Sequence, residues 1–371
     1  LGFADLVRSG PVSEARQDGH LTMFCRKMFA ALFVMLVVAG PARADDEADP
    51  LPSWNDGGVK AAILDYVARV TTQGSPDFVP EPDRIATFDN DGTLWVEMPL
   101  YTQFVFVVDR VKAVSNQHPD WKSKEPFKSV LDGNTKKLLS YGEKGAMALL
   151  TATHSGITTV EFNDIVSAWL KTAKHPRYDR LYTELTYAPM IELLEYLRAK
   201  GFTTFVVSGG GTAFMRAYTE QYYGVPPWQV VGSSGETEFR YWDSSPTLVK
   251  LPDLLFFDDG PGKAEGINHY IGRQPIFAFG NSIGDQEMLE WTANCKSLCF
   301  MGLVHHDDAK REYAYGPNSD VGRFPIELME HALANGWNVV SMKEDWAQIF
   351  AWGKPESPVQ PEPASETELN R

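Results

Sequence analysis

The stretch RIATFDNDGTL, from Arg84 to Leu94, decides the fold. Arg84–Phe88 is too short for a helix and leads into polar turn residues, so it reads as a strand buried on both faces. Asp89 stands at its C-terminal end, with Gly92 and Thr93 turning the chain just beyond. Outward from this stretch the same pattern recurs. Thr203–Val207 ends at Ser208, Ile276–Phe279 ends at Gly280, and Leu298–Val304 runs into His305. Helical spacing appears at Val59–Val70, Gly262–Ile271 and Asp285–Trp291, and Glu327–Ala334 and Glu344–Phe350 finish the chain's ordered part. Short apolar strands alternating with helices predict an α/β fold, a doubly wound parallel (Rossmann-like) sheet.

Ligands of such sheets sit outside the carboxyl ends of the strands. Three polar clusters are therefore expected to line one crevice: Asp89-Asn90-Asp91, Ser208-Gly209-Gly210-Gly211 and Gly280-Asn281-Ser282. An Asp pair alone is most often a solvated turn. Behind a buried strand it has a second use. A carboxylate attacks phosphorus when a cation offsets charge on the phosphoryl oxygens. A second carboxyl two residues on can protonate the leaving oxygen and then deprotonate water.

Asp-x-Asp-Gly-Thr after a strand resembles the first motif of the haloacid dehalogenase superfamily, and the remaining motifs follow in order over roughly residues 80–310. The resemblance implies Asp89 as phosphorylated nucleophile and Asp91 as general acid/base, with Gly92 and Thr93 folding the backbone around the phosphate. Ser208 matches the second motif, followed by Gly209 and Gly210, whose N–H groups are expected to cradle phosphate. Lys263, in GKAEG, matches the Lys that pairs with nucleophile and phosphoryl group. The fourth motif reads GNSIGD: Asp285 is kept, while Asn281 stands where many relatives carry an acid. Magnesium is the implied cofactor, held by Asp89, Asp91 (through its carbonyl), Asn281 and Asp285. Charge counting alone predicts that Asn281→Asp would tighten magnesium binding.

About one hundred residues separate Leu94 from the second strand, too many for a loop. They carry helical patterns at Phe104–Val114, Lys124–Ser140, Lys144–Thr151, Thr159–Lys171 and Pro189–Leu197. A helical cap inserted over residues 95–198 is expected, as in phosphoserine-phosphatase-like members. The catalytic core is then 45–94 and 199–353. Glu97 is placed to face the substrate's leaving group. His154, His175, Arg177, Tyr178 and Arg180 sit at cap breaks as candidate contacts that read more simply as surface groups. Gln229–Leu255 alternates like a β-hairpin excursion. Trp95, Trp121, Trp169 and Trp228 read as core, and Asp307 in His305-His306-Asp307-Asp308 as a helix cap.

The full chain of 371 residues carries a net charge of −15, with 43% hydrophobic and 22% charged residues. That is an ordinary globular composition, too acidic for nucleic acid or an anionic membrane surface. Met23 opens a basic n-region, an apolar run Met28–Ala39 and the small-residue site Ala42-Arg43-Ala44. This layout predicts a cleaved secretory signal, with residues 1–44 removed, a periplasmic mature protein and no stable membrane insertion. Residues 45–56 read as a mobile lead-in, and the Pro/Glu-rich tail 354–371 as disordered. Cys295 and Cys299 remain after cleavage. A disulfide between them is permitted by the compartment but opposed by i, i+4 spacing if Cys299 lies in a strand. The expected function is hydrolysis of small phosphomonoesters through an aspartyl-phosphate on Asp89. The alternatives are a haloalkanoate-type dehalogenase, against which Asp91 speaks, and a non-catalytic periplasmic binding protein. The sequence leaves the oligomeric state and the physiological substrate open.

Overall fold

In the computed structural model, which describes residues 48–353 apart from Asp243, strand β1 is Ile85–Phe88, buried at all four positions. The expected signal and the tail 354–371 lie outside these residues. The other strands are β2 (Thr203–Gly211), β3 (Val230–Trp242), β4 (Ser245–Phe256), β5 (Phe277–Gly280), β6 (Phe300–His305) and β7 (Asn338–Ser341). They form one seven-stranded sheet in the order β4-β3-β2-β1-β5-β6-β7. All pairings are parallel except β3 with β4. From β1 the chain winds first to β2 and β3, then returns to β5 on the opposite side. The strand order therefore reverses at β1, and the crevice of a doubly wound sheet opens at its carboxyl end.

Helices flank this sheet. α1 (Gly58–Thr71) buries Ile63, Tyr66, Val67 and Val70 along one stripe, and the Tyr66 hydroxyl donates to the Ile276 carbonyl at 2.7 Å. The segment after β1 contributes α2 (Thr102–Val114), α3 (Phe127–Leu131), α4 (Thr135–Leu139), α5 (Gly142–His154) and α6 (Thr159–Leu170). A Thr158–Glu161 capping box starts α6. α7 is Ala188–Ala199, then follow α8 (Thr212–Met215), α9 (Thr219–Tyr223), α10 (Pro261–Gly266), α11 (Gln286–Ala293) and α12 (Ile326–Ala334).

The chain leaves the sheet and returns to it side by side: Val96 N donates to Leu185 O at 3.2 Å, and Tyr187 N to Leu94 O at 2.9 Å. The inserted helices thus lie between these two crossings. α7, expected within the insert, instead packs against β2 beyond the second crossing.

β3 has two roles, because Val230–Ser233 extends the parallel sheet while Ser234–Trp242 pairs with β4 as a projecting ribbon. The expected hairpin is therefore continuous with a sheet strand. Its β4 side is tied to the inserted helices, Gly156 N donating to Lys250 O and Lys250 N to Ile157 O, both at 2.9 Å.

Other expectations change in detail. From residue 49 the lead-in is packed, not mobile: Leu51 and Trp54 are buried, and Trp54 Nε1 donates to Pro189 O at 2.9 Å. Glu344–Phe350 forms no helix, and two of its residues bridge to other segments, Trp346 to Trp54 and Phe350 to Tyr187. Cys295 and Cys299 are bridged, with Cα atoms 6.3 Å apart. Cys299 stands one residue ahead of β6, so the extended spacing that opposed the bond does not apply. Among the described residues no helix is long and apolar enough to cross a membrane.

Candidate active site

The sheet order makes β1, β2 and β5 neighbours, so Asp89, Ser208 and the Asn281–Asp285 turn emerge beside one another. Asp89 N still donates to Phe279 O at 2.9 Å, extending the β1–β5 ladder by one residue and fixing the start of the loop. α10 delivers Lys263 into the same space. Its ammonium, in a side chain 2% exposed, reaches Asp89 Oδ1 at 2.6 Å and Asp285 Oδ1 at 2.5 Å. Burial alone would push Lys263 down, but Asp285 and Asp89 outweigh it and hold the ammonium charged. Burial and the charge of Asp285 push Asp89 up, against the pull of Lys263. The other oxygen of Asp89 accepts no hydrogen bond from the described residues.

Asp91 has a different environment. Burial raises its carboxyl to about 6, while hydrogen bonds from Trp95 and Asn90 pull the other way. Trp95 Nε1 reaches Oδ1 at 2.9 Å and Asn90 Nδ2 reaches Oδ2 at 3.2 Å. Asn90 is itself held by Tyr218 and Tyr223, each at 3.0 Å. The two carboxyls thus differ in kind: one is tethered to an ammonium, the other is poised near neutrality. Gly92 turns the loop at φ +78°, where a Cβ would strike the Asn281 amide and the Glu97 carboxylate. His306 Nε2 meets the Gly92 carbonyl at 2.7 Å, with the buried Glu312 behind its Nδ1.

Ser208 is buried, and its Oγ accepts from Gly210 N at 3.1 Å, which leaves the hydroxyl hydrogen free to donate. This modifies the expected glycine cradle. Gly209–Gly211 continue β2 with a register shift against β3, and Gly211 N is taken by Gln103 Oε1 at 2.7 Å. The N–H groups of Gly210 and Gly211 are therefore already partnered within the protein. Asp258, behind this strand, is fully buried, and burial raises it to about 7 against the pull of Lys263 and of the Ser208 backbone N–H.

The metal-site residues lie close together. Asp285 Oδ2 accepts from Asn281 N at 2.9 Å and Ser282 N at 3.0 Å. Asn281 Oδ1 accepts from Thr93 Oγ1 at 3.1 Å, and Asn281 Nδ2 donates to Glu97 at 2.6 Å. Among the described residues no three His, Cys, Asp or Glu side chains are arranged to hold a metal on their own. A cation here must therefore also use neutral oxygens such as the Asn281 amide or a backbone carbonyl. The surroundings fit a small hard cation: the donors are oxygens, and Asp89, Asp91, Glu97 and Asp285 gather around the single ammonium of Lys263.

Glu97 departs from its expected place. It is 2% exposed and bonded to Asn281 and the Tyr315 hydroxyl. The cap residues also point elsewhere. His154 packs between Phe106 and Phe162, His175 bonds the Met98 carbonyl, Arg177 grips the carbonyls of Ala309, Lys310 and Glu312, and Arg180 pairs with Glu184. Tyr178 stacks edge-on to Phe350. Trp228 is 74% exposed, so it is not core. Asp308, not Asp307, caps the turn before Glu312, while Asp307 ties β6 to Ser341. Gln103, Tyr218 and Tyr315 escaped the sequence reading, since none belongs to a motif with its own spacing.

The family model for haloacid dehalogenase-like hydrolases matches residues 86–290, which include Asp89, Asp91, Ser208, Lys263, Asn281 and Asp285. This is more than half of the chain, and the protein belongs to that family. A search of curated proteins finds no match. Among solved structures, a Bordetella pertussis Tohama I protein of unknown function is 15% identical over 69% of this chain and 97% of its own, with a TM-score of 0.44. A functionally unknown protein from Anaerococcus prevotii DSM 20548 is 15% identical over 67% and 86%, with a TM-score of 0.46. A substrate-bound phosphoserine phosphatase is 12% identical over 68% and 97%, with a TM-score of 0.34.

Proposed function

We propose that this haloacid dehalogenase-like hydrolase is an exported, magnesium-dependent phosphatase of small phosphomonoesters. The observation that carries the reading is the division of labour between two carboxyls two residues apart. Asp89 has one oxygen on Lys263 and the other without a partner among the described residues, while Asp91 is raised to about 6 and held by Trp95.

The free oxygen of Asp89 attacks phosphorus, and the bond from phosphorus to the ester oxygen breaks. Asp91 gives its proton to that oxygen, so the product leaves as the alcohol. Asp91, now ionised, takes a proton from water as the water oxygen attacks the aspartyl-phosphate. The bond from Asp89 to phosphorus breaks, phosphate departs and Asp91 is protonated again. Ser208 donates to a phosphoryl oxygen, and Lys263 orients Asp89 and favours its ionised form against the effect of burial. Asp89, the Asp91 carbonyl, Asn281 and Asp285 would hold magnesium, which when bound would offset charge on the phosphoryl oxygens. The helices between Val96 and Leu185 serve as a cap that selects substrate. Export rests on the signal-like residues 23–44.

Turnover of p-nitrophenyl phosphate with and without EDTA tests the reading, together with intact mass of acid-quenched enzyme. Wild type should turn over only with the metal present and show a species heavier by one phosphoryl group; Asp89→Asn should show neither activity nor adduct. Metal-independent release of halide from a haloalkanoate, without phosphate turnover, would establish the dehalogenase instead.

A further inference from the structure

Among the buried acids that the phosphatase mechanism leaves without a task, Glu97 bonds a proposed magnesium ligand, Asn281. Lys263 is paired with Asp89 and Asp285. Glu97, equally buried, is met only by neutral donors, Asn281 Nδ2 and the Tyr315 hydroxyl, and both bond Oε1. Its Oε2 accepts no hydrogen bond from any described residue. The backbone is shaped to admit this carboxylate. Gly92 (φ +78°) and Gly322 (φ +59°) come from separate loops, and a Cβ on either would collide with the Glu97 carboxylate. Burial, together with the charges of Asp91, Asp89 and Asp285, pushes the Glu97 carboxyl up against the pull of the Tyr315 hydrogen bond, so a cation nearby would favour its charged form.

The contact also settles which way the Asn281 amide faces. Glu97 Oε1 already accepts from the Tyr315 hydroxyl, and the Asn281 atom that donates to the same oxygen is the amide nitrogen. The amide oxygen is then turned to the opposite side, where it meets the Thr93 hydroxyl.

We propose that Glu97 is a positioning residue for the magnesium site: it clamps the amide nitrogen of Asn281 so that the amide oxygen is presented, and it supplies the negative charge that Asn281 lacks. This inference rests on the magnesium-phosphatase reading. It reverses the sign expected from charge counting at position 281. Asn281→Asp alone would set two carboxylates against each other at a contact now 2.6 Å long and would lose the clamp. In the exchange Glu97→Gln with Asn281→Asp, a Gln amide donates to the new Asp, which restores both the bond and the charge.

Calorimetric titration of metal-free protein with magnesium alone tests this, since it needs no turnover. Outer contacts of metal ligands typically contribute ten- to a hundredfold in affinity. Glu97→Gln, which can still accept from Asn281 and so isolates the charge, should bind magnesium about tenfold more weakly. Asn281→Asp should also bind more weakly, and the exchange should return close to wild type. Wild-type affinity in folded Glu97→Gln overturns the proposal, as does an exchange no better than either single change. Should Glu97→Gln fail to fold, the exchange against Asn281→Asp decides in the same way. If wild type hydrolyses phosphoesters but neither binds magnesium nor responds to EDTA, the metal reading falls and takes this inference with it. If wild type binds magnesium and Glu97→Gln does so equally, only the inference falls.

Discussion

Replacing Trp95 with Phe removes one hydrogen bond from the proposed general acid and little else. The Trp95 ring is fully buried and stacks on Tyr218 with centroids 4.5 Å apart, a contact that a Phe ring can largely keep. Its Nε1–H donates to Asp91 Oδ1 at 2.9 Å. A bond to the ionised form lowers a carboxyl pKa, so deleting it must raise Asp91 further above its present value of about 6. Hydrogen bonds to charged groups are worth about 1.5–3 kcal/mol, and one pKa unit is about 1.4 kcal/mol, which gives a rise of about one to two units. Asp91 is partly exposed, so water recovers some of the loss and the lower figure applies. The assay is kcat/KM against pH for an alkyl phosphate and for p-nitrophenyl phosphate. With the alkyl ester, whose leaving oxygen needs a proton, the descending limb should move up by about one unit in Trp95→Phe. With the nitrophenyl ester, which departs as a stable anion, it should move little. A limb that stays in place for the alkyl ester in a folded variant would refute the role of Asp91. An equal shift for both esters would show that the bond tunes something other than leaving-group protonation.

Lys263→Met strips two buried carboxylates of their shared partner, which typically costs about 3–5 kcal/mol. Urea unfolding should show that loss at pH 7.5 and a smaller one at pH 4.5, where Asp89, already pushed up by burial, can bind a proton instead. His154, whose Nε2 is sealed without a partner, is lowered to about 3 by burial and by the charges of Lys250 and Arg110. The unfolded chain therefore takes up a proton near pH 6.5 that the folded one refuses, and stability falls as pH drops below that value. The loss between pH 7.5 and pH 5 should reach about 2 kcal/mol at most, given the partly exposed ring, and His154→Leu should abolish this component of the pH dependence in thermal unfolding.

The strands at the switch point were legible because each is a short apolar run ending in polar residues, and burial on both faces demands that pattern. The crevice followed from topology, since adjacent parallel strands bring their carboxyl ends together whatever the loops contain. β7 was missed: Asn338–Ser341 has a half-buried, partly polar pattern that a sheet edge tolerates and a periodicity scan does not register. The inner half of β3 was hidden for another reason. One unbroken alternation serves both a parallel sheet strand and an antiparallel ribbon, and only the change of partner at Ser234 divides them.

Side-chain direction is where sequence reasoning ends and packing takes over. Position 97 follows Asp91 closely enough to reach the crevice, and on spacing alone its carboxylate belongs with the substrate. Two glycines decide otherwise. Gly92 belongs to the nucleophile loop and Gly322 to a loop more than two hundred residues later, and both leave room for the Glu97 carboxylate at Oε1. The Tyr315 hydroxyl and the Asn281 amide then fill the remaining directions around Oε1. None of these four positions is informative without the others, because the pocket exists only after β1, β5 and the segment following β6 have come together. An Asn in place of an acid at position 281 therefore reads as a lost ligand in one dimension. In three dimensions it is one half of an amide–carboxylate pair, and the charge missing from one loop stands on its neighbour.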